Sequence, residues 1–383
     1  IDAPQCRDRR VQLLLRALTH ITPVIYITGP MLYPLVIALH VRASLEFGHT
    51  EVSAYGYMAY AFILSVGMGR HAEARAFGEM ALAVDEQFGG RDLRGKLYAT
   101  LSGCGHFFLP LPEVVGYARK AHQSCLESGD FLYASYSCYA VTSLRLGMGD
   151  DLVAVREELE SFLRVTRRTR EPLSNNVLSV HRQLIAALRG ETKSTLSLDS
   201  LDGESFLEAT FLAETSPTSM GQALLWFYLA KALLAYLRED AATALSMTAI
   251  AEPYARGTVG TYGTTELLFY GTLARLGHAV DCAGDERARL IAEAQSARGD
   301  LAKWAISCPT GYSARLAIVD GELHRLSNEP LLALDCYEQA IHAARAENAA
   351  QLVAISSELA ARLCQKQGSE HRVRGYLLEA HAA

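Results

Sequence analysis

Three histidines near the N-terminus, His20, His40 and His49, are the first side chains in the sequence that could hold a metal ion. A zinc site built on a helix places two ligands one turn apart on the same face. These histidines lack that spacing, so we expect them to be core or solvated side chains. Eight cysteines are scattered without a C-x-x-C pair, which is typical of structural thiols in a reducing compartment.

Two acidic pairs, Asp150–Asp151 and Glu157–Glu158, have the chemistry of a general acid and base. Both fall in predicted N-terminal helical turns, where carboxylates favour the helix dipole. The sequence also lacks a P-loop, an H-E-x-x-H zinc motif, a G-x-S-x-G nucleophile elbow and the H-R-D and D-F-G kinase signatures. We therefore expect no catalytic residue, no cofactor and no metal ligand, and we predict that the chain is not itself an enzyme.

Tyrosine is frequent, with 18 residues against 12 phenylalanines. A ring with a hydroxyl group offers both apolar area and a hydrogen bond, which suits a binding groove. In stacked helix pairs, the first helix of each pair lines the concave face. The candidate binding residues on such helices are Tyr55, Tyr57, Tyr60, Tyr98, Tyr133 and Tyr136. The competing interpretation is tyrosine packed between helices, with its hydroxyl group satisfied at the rim.

The elements that would position these side chains are predicted to be helices. Half of the 383 residues are hydrophobic and a fifth are charged, with a mean hydropathy of +0.09. Alanine and leucine dominate, proline is scarce and β-branched runs are short, so helix is favoured over sheet. A single core stops growing near about 250–300 residues, and this length therefore indicates two domains or an elongated stack of repeats.

A recurring spacing of small residues predicts the repeat. Its clearest copy is Ala333-x3-Tyr337-x2-Ala340, the pattern carried by the second helix of a tetratricopeptide unit, where small residues let two helices approach. Further copies begin at positions 74, 114, 155, 244, 288 and 372. The residues assigned to packing are Ala74, Gly78, Ala81, Ala118, Ala121, Ala244, Ala333, Tyr337 and Ala340. The predicted fold is an all-α, tetratricopeptide-like superhelix, a solenoid of about seven to nine helix pairs.

The interval between the copies at positions 155 and 244 is about twice as long as the other intervals. This double step marks a predicted division of the chain. Serine, threonine, aspartate and glycine are dense over residues 190–203, a composition that predicts a loop. A loop of this length suits a junction between two superhelical halves. We predict N-terminal helical repeats over residues 1–195 and C-terminal helical repeats over 196–383, within one continuous superhelix.

Residues 21–39 contain no charged side chain and match the length of a membrane span. Pro23, Pro30 and Pro34 interrupt this stretch, and Thr28-Gly29-Pro30 has the composition of a helix start. We therefore predict two short buried helices and no membrane insertion.

The chain carries a formal net charge of −6, which argues against a nucleic-acid partner. Its one basic cluster consists of Arg164, Arg167, Arg168 and Arg170, at a predicted helix end. Cations there complement the helix dipole, so the cluster is either a solvated helix terminus or a patch for phosphate or acidic groups.

Several segments of the sequence resemble a known family. The strongest resemblance is in Tyr337–Arg345 and Glu358–Arg362, and a further one is in Ser53–Ala61 and Gly67–Ala83. They resemble the helical region of large bacterial multidomain signalling proteins. In those proteins a serine/threonine-kinase-like domain and a P-loop signal-transducing ATPase precede the helical repeats, and a GAF sensor domain and a histidine kinase follow. The resemblance covers residues 1–380 approximately and departs over 191–205.

The resemblance implies a non-catalytic interaction and sensor module. It would bind a peptide, protein or small-molecule ligand in the cytoplasm and restrain the neighbouring ATPase and kinase domains of the parent chain. The absence of an initiator methionine before Ile1 fits an excised piece of such a protein. Two alternatives stay open: a free-standing tetratricopeptide-type adaptor or peptide-sensing regulator, and an all-α enzyme acting on a small molecule.

Overall fold

The computed structural model describes residues 3–29, 31–192, 200–203, 206–216, 220–258 and 260–383. Over these residues the chain forms helices and turns, with two isolated β-bridges and no strand, which confirms the predicted all-α fold. The eighteen α-helices of the described residues are α1 (Arg9–Thr28), α2 (Tyr33–Phe47), α3 (Ser53–Phe62), α4 (His71–Phe88), α5 (Arg91–Cys104), α6 (Leu111–Ser128), α7 (Phe131–Met148), α8 (Leu152–Thr169), α9 (Pro172–Leu188), α10 (Glu208–Glu214), α11 (Gly221–Leu237), α12 (Ala241–Gly257), α13 (Tyr262–His278), α14 (Gly284–Ser307), α15 (Pro309–Leu326), α16 (Pro330–Ala346), α17 (Ala350–Lys366) and α18 (Glu370–Ala382). A π-helical turn, Ile63–Gly67, extends α3.

The chain divides into two compact units, Ile1–Val141 and Thr142–Ala383. In the first unit, α3 packs against α4 and α5, and α5 packs against α6. In the second unit, α9, α11, α13 and α15 each pack against the next odd-numbered helix, the last of which is α17, and α12, α14, α16 and α18 lie beside them. Two rows of helices in chain order are the arrangement of a helical repeat protein. Among the described helices, the consecutive pairs that pack against each other include α1–α2, α3–α4, α5–α6, α11–α12, α13–α14, α15–α16 and α17–α18.

The repeat pattern marks the second helix of each pair. The copies that begin at positions 74, 114, 155, 244 and 333 each start at the fourth residue of a helix, namely of α4, α6, α8, α12 and α16. All nine residues assigned to packing are buried, and Ala333, Tyr337 and Ala340 have no exposed surface at all. The periodicity therefore identifies the face that each second helix buries.

The double step in the repeat coincides with α9 and the short helix α10, which has seven residues and carries no copy of the pattern. Phe211 of α10 stacks on Phe227 of α11 with ring centroids 5.1 Å apart, and Glu208 pairs with Lys231 at 2.7 Å. The boundary predicted near residue 195 lies outside the described residues, as does much of the predicted loop over 190–203. Both stay predictions.

Eight of the described helices are followed by a residue in the left-handed backbone conformation. This residue comes one or two positions after the helix, where positive φ reverses the chain. The residues with this role are Gly129, Gly149, Arg170, Gly190, Glu239, Asn328, Asn348 and Gly368. Four of these residues are glycine and two are asparagine, the residue types that favour this conformation, while Arg170 and Glu239 adopt it at a cost in free energy.

The uncharged stretch over residues 21–39 is only partly as predicted. Helix α1 ends at Thr28 and α2 carries Pro34 in its first turn, while Pro30 lies outside the described residues. The prediction of two short buried helices is wrong, because α1 has 20 residues and the side chains of Ile21, Val24 and Leu39 are exposed. No helix in the described part of the chain is long and apolar enough to cross a membrane.

A buried histidine joins the first three helices. The Nε2 atom of His40 in α2 lies 3.1 Å from the Thr19 hydroxyl oxygen of α1, and both side chains are buried. On the other side of the ring, Gly56 of α3 comes so close that a Cβ atom there would overlap the imidazole. Burial lowers the pKa of His40 to about 4, so the ring is neutral at physiological pH.

The second unit is organised around a buried guanidinium group, that of Arg315 in α15, whose side chain is 2% exposed. Its Nη2 atom lies 2.9 Å from both the Glu266 carboxylate and the Tyr262 hydroxyl group of α13. The same atom donates to the backbone carbonyl of Gly147, at the end of α7, over 2.8 Å. Its Nη1 atom donates to the Gly311 carbonyl. One side chain thus ties three helices of this unit together.

The carbonyl of Gly147 also accepts a hydrogen bond from the Gln351 amide of α17, over 2.7 Å. These contacts join residues that are 168 and 204 positions apart in the sequence. A repeat array that is stabilised only by neighbouring repeats would contain no such contacts. The end of α7 is therefore a common anchor for α13, α15 and α17.

Replacement of Arg315 by methionine is expected to destabilise the protein by about 3 to 5 kcal/mol, because Glu266 would become a buried charge without its partner. Urea unfolding followed by circular dichroism measures the effect. Arg289→Met is the matched control, since this exposed arginine pairs with Glu286 and Glu293 at the surface, where water screens the charges and the loss of stability should be much smaller. The double variant Arg315→Met/Glu266→Gln should regain part of the loss. Equal effects of the two arginine variants would contradict the assignment.

The free energy of unfolding should fall as the pH falls from 6.5 towards 4. In this window the unfolded chain protonates His40 and the folded chain does not, which removes up to about 3 kcal/mol of stability. His40→Gln should therefore reduce the slope by about 1.4 kcal/mol per pH unit in urea unfolding measured across this range. If the free energy of unfolding of the His40 variant depends on pH as steeply as that of the wild type, the prediction is wrong.

Candidate functional site

Four helices of the first unit bring tyrosine side chains together. We define the tyrosine cluster as Tyr26 of α1, Tyr33 of α2, Tyr55 of α3 and Tyr133 of α7. The rings of Tyr26 and Tyr33 meet edge to face at 5.3 Å, and Tyr133 donates a hydrogen bond to the Tyr55 hydroxyl group. Tyr33 lies within electrostatic reach of both Tyr26 and Tyr133. Residues distant in sequence thus form the tyrosine cluster.

An ion pair adjoins this cluster. The Nζ atom of Lys96 in α5 lies 3.2 Å from the Asp130 carboxylate and 5.3 Å from the centre of the Tyr133 ring. Asp130 also accepts a hydrogen bond from the backbone N–H of Tyr133, as the residue before α7 commonly does. The turn at Gly129 places Asp130 in this position, so the backbone that begins α7 also fixes the charge beside the tyrosine ring.

The exposure of the cluster decreases from its edge to its base. Tyr26 is 46% exposed and Tyr133 is half-buried, whereas Tyr33 and Tyr55 are 9% and 4% exposed. Burial raises the pKa of Tyr33, Tyr55 and Tyr133 well above the usual range of a phenol. The hydroxyl groups therefore stay protonated and can donate or accept hydrogen bonds. Apolar rings, neutral hydroxyl groups and the nearby Lys96 are groups that can bind another molecule by apolar contact and hydrogen bonds.

A second group of aromatic side chains lies on α5 and α6. The rings of Tyr98 and Tyr117 are 5.8 Å apart, and the Nζ atom of Lys120 lies 5.9 Å and 5.1 Å from their centres. Both tyrosines are half-buried, and Lys120 is exposed. A cation held over two rings stabilises the group and keeps a positive charge at its outer edge.

The six tyrosines predicted to line a binding face separate into different environments. Tyr55 and Tyr133 belong to the tyrosine cluster, and Tyr98 belongs to the second group. Tyr136 continues from Tyr133, with their ring centroids 6.0 Å apart. Tyr60 is half-buried, with its ring 4.8 Å from that of Phe77. Whether they bind a partner stays a prediction.

Tyr57 is the clear departure from the predicted surface. It has no exposed area, and its hydroxyl group lies 3.0 Å from the Nε2 atom of His49, which is also buried. The side chain points into the core because Tyr55, Tyr57 and Tyr60 lie at different angles around α3. Tyr57 is therefore a core residue in this structure.

The sequence offered little to identify Tyr26, Tyr33 and Lys96. Both tyrosines lie within the uncharged stretch over residues 21–39, in which the prolines predict helix ends but no pattern marks the aromatic residues as a site. Lys96 has no motif at all. The one available signal was Gly129-Asp130 before a tyrosine-rich segment, since an aspartate after a glycine commonly starts a helix.

The other candidate chemical groups have structural roles. Asp151 caps α8 by accepting from the Ala154 N–H, and both Asp150 and Glu158 pair with Arg145. No cysteine forms a disulfide, and six of the eight are buried. No group of three or more potential ligands that could hold a metal ion occurs among the residues described by the structure.

No protein-family profile and no curated protein matches the chain. Among solved structures, the chain is similar to a circular tandem repeat protein with a novel repeat topology and enhanced subunit contact surfaces. The identity is 13%, the TM-score is 0.25, and the match covers 97% of this chain and 95% of the other. A likeness this weak adds nothing to what the helices themselves show. The fold established here is that of a helical repeat scaffold.

Replacement of Tyr55 and Tyr133 by phenylalanine should not change the phenolate absorbance near 295 nm that develops by about pH 11. Neither hydroxyl group ionises in that range, because burial raises the pKa of both, whereas an exposed tyrosine ionises near pH 10. The measurement is a spectrophotometric titration, with circular dichroism to establish that the protein stays folded. A loss of two tyrosine equivalents below pH 11 would contradict the described cluster.

Proposed function

We propose that this chain is a non-catalytic protein-interaction and sensor module of a multidomain bacterial signalling ATPase/kinase. The tyrosine cluster and its Lys96–Asp130 ion pair carry the proposal. Aromatic rings supply contact area at a small cost in conformational entropy, and their hydroxyl groups hydrogen bond to the backbone of a bound segment. The arrangement suits a peptide or protein segment that offers both apolar side chains and backbone polar groups.

The cluster draws on α1, α2, α3 and α7, and a segment bound there would contact its accessible members, Tyr26 of α1 and Tyr133 of α7, above the buried rings of Tyr33 and Tyr55. Binding would favour the conformation in which those helices hold the rings together. Such a change is a means to couple partner binding to neighbouring ATPase and kinase domains. The resemblance of Tyr337–Arg345 and Glu358–Arg362 to the helical region of large signalling proteins supports this context and a cytoplasmic location.

A free-standing adaptor or peptide-sensing regulator would use the same surface. An enzyme acting on a small molecule is the weaker alternative, because the polar groups of the cluster are protonated phenols and an ion pair already formed. The DNA sequence that flanks the codons for residues 1 and 383 distinguishes the signalling module from the free-standing adaptor. A P-loop ATPase upstream and a sensor or kinase domain downstream would support the signalling module. Start and stop codons at those positions would overturn it and leave the adaptor.

Peptides selected by phage display on the immobilised chain should bind through the tyrosine cluster. Tyr26→Ala is expected to weaken a selected peptide by about tenfold in fluorescence anisotropy, which corresponds to the loss of about 1.4 kcal/mol from one aromatic anchor. Tyr26 is suitable because its side chain is 46% exposed and its loss should leave the fold intact. Tyr254→Ala in the second unit, where a half-buried tyrosine stacks on Tyr228, is the matched control. Equal affinities of the two variants would refute this use of the cluster.

A further inference from the structure

Helix α8 carries a row of arginines that is not part of the tyrosine cluster. Arg156, Glu160, Arg164 and Arg167 are spaced by four, four and three residues and therefore lie along one face of the helix. Arg164 and Arg167 are exposed and Arg156 is half-buried. From Arg156 to Arg167 the row is about 16 Å long, at about 1.5 Å per residue. It includes two members of the basic cluster identified in the sequence.

A fifth side chain extends this row onto the next helix. Arg182 of α9 is 15% exposed, and its Nη1 atom lies 4.0 Å from the Glu160 carboxylate, at the outer limit of an ion pair. Burial lowers the pKa of Arg182, and the positive charges of Arg167 and Arg156 lower it further, partly offset by Glu160. Arg182 therefore adjoins the row of α8 at Glu160. We call Arg156, Arg164, Arg167 and Arg182 the arginine surface.

The carboxylates around this surface do not balance its charge. Glu191, which follows α9, is shared between Arg156 and Arg189. Glu171, between α8 and α9, accepts hydrogen bonds from the backbone N–H groups of Leu173 and Ser174 and so caps α9. Across the part of the chain that the structure describes, no carboxylate pairs with Arg164 or Arg167. The surface therefore has excess positive charge within a chain of formal net charge −6.

The length and composition of the surface indicate the kind of partner. A row of about 16 Å is too long for one phosphate group but matches about three helical turns of a peptide, or about five residues in an extended one. Single-stranded nucleic acid is normally bound with exposed aromatic rings on which bases stack. Phe162, the aromatic residue of α8, is 6% exposed, and α9 contains no phenylalanine, tyrosine or tryptophan. Guanidinium groups form strong hydrogen bonds with carboxylates.

We propose that the arginine surface binds an acidic peptide segment of a partner protein, whose aspartate or glutamate side chains pair with Arg164 and Arg167. The proposal extends the interaction role to a second surface, and it does not need the tyrosine cluster to bind anything.

The probe is a fluorescein-labelled, alanine-rich helical peptide with glutamate at every fourth position, and the matched probe has glutamine at those positions. Fluorescence anisotropy with the full chain should show binding of the glutamate peptide alone, weakening as sodium chloride is raised because the contacts are ionic. Arg164→Gln/Arg167→Gln should reduce the affinity by about tenfold, since two charge-assisted hydrogen bonds are lost. Both side chains are exposed, so the variant should fold normally.

The control variant is Arg91→Gln/Arg256→Gln, which removes two exposed arginines from α5 and α12 and changes the net charge equally. Its affinity should match the wild type. The proposal is overturned if the wild type does not bind the glutamate peptide, or if both double variants lose affinity equally. It is also overturned if inorganic phosphate or a single-stranded oligonucleotide of equal charge competes as well as the peptide. Undiminished binding by Tyr26→Ala would separate this surface from the proposed function of the tyrosine cluster.

Discussion

A guanidinium group buried away from water has to find all its partners inside the protein, and in the second unit this requirement fixes the positions of several helices. Arg315 meets this requirement at Nη1 and Nη2 with Glu266, Tyr262 and two backbone carbonyls, while its Nε atom has no partner among the described residues. A small shift of α13 or of the end of α7 would leave a charge or a carbonyl without a partner, at a cost of several kcal/mol. Hydrophobic contacts between alanine-rich helices tolerate sliding more easily. The polar network therefore specifies the register that the apolar contacts alone would leave loosely defined.

The local pattern of the sequence predicted the fold well because the repeat is a local property. Small residues such as Ala74 and Ala333 recur at helical spacing, and their burial follows from the face on which they lie. The pairing of Arg315 with Glu266 could not be predicted in this way, since it spans 49 residues and leaves no periodic signal. The tyrosine cluster shows the same limit. Tyr55 and Tyr133 were identified by type, but their hydrogen bond and the burial of Tyr57 depend on how helices rotate about their own axes.

The two proposed surfaces differ in physical character, and each would select a different kind of segment. The tyrosine cluster is largely neutral, so it would recognise shape, apolar area and backbone groups, with little dependence on salt. The arginine surface carries exposed charge that acts at longer range and is screened by salt. A module with both could combine fast electrostatic encounter at one surface with selective docking at the other. Binding at two surfaces of one chain would also raise the overall affinity without any stronger single contact.

The left-handed residues that end the helices have a consequence for how such a chain changes over evolutionary time. Gly129 and Asn348 close turns between helix pairs, and Asn328 and Gly368 close turns within pairs, each one or two residues after the helix, so these successive helices are joined in a similar manner. If a whole helix pair away from the Arg315 network is gained or lost, these junctions are preserved. If only a few residues of a helix are gained or lost, the apolar face of the chain that follows turns away from its packing partners. Families built on this plan should therefore vary in length by complete helix pairs, with the pairs that touch Arg315 kept in constant number.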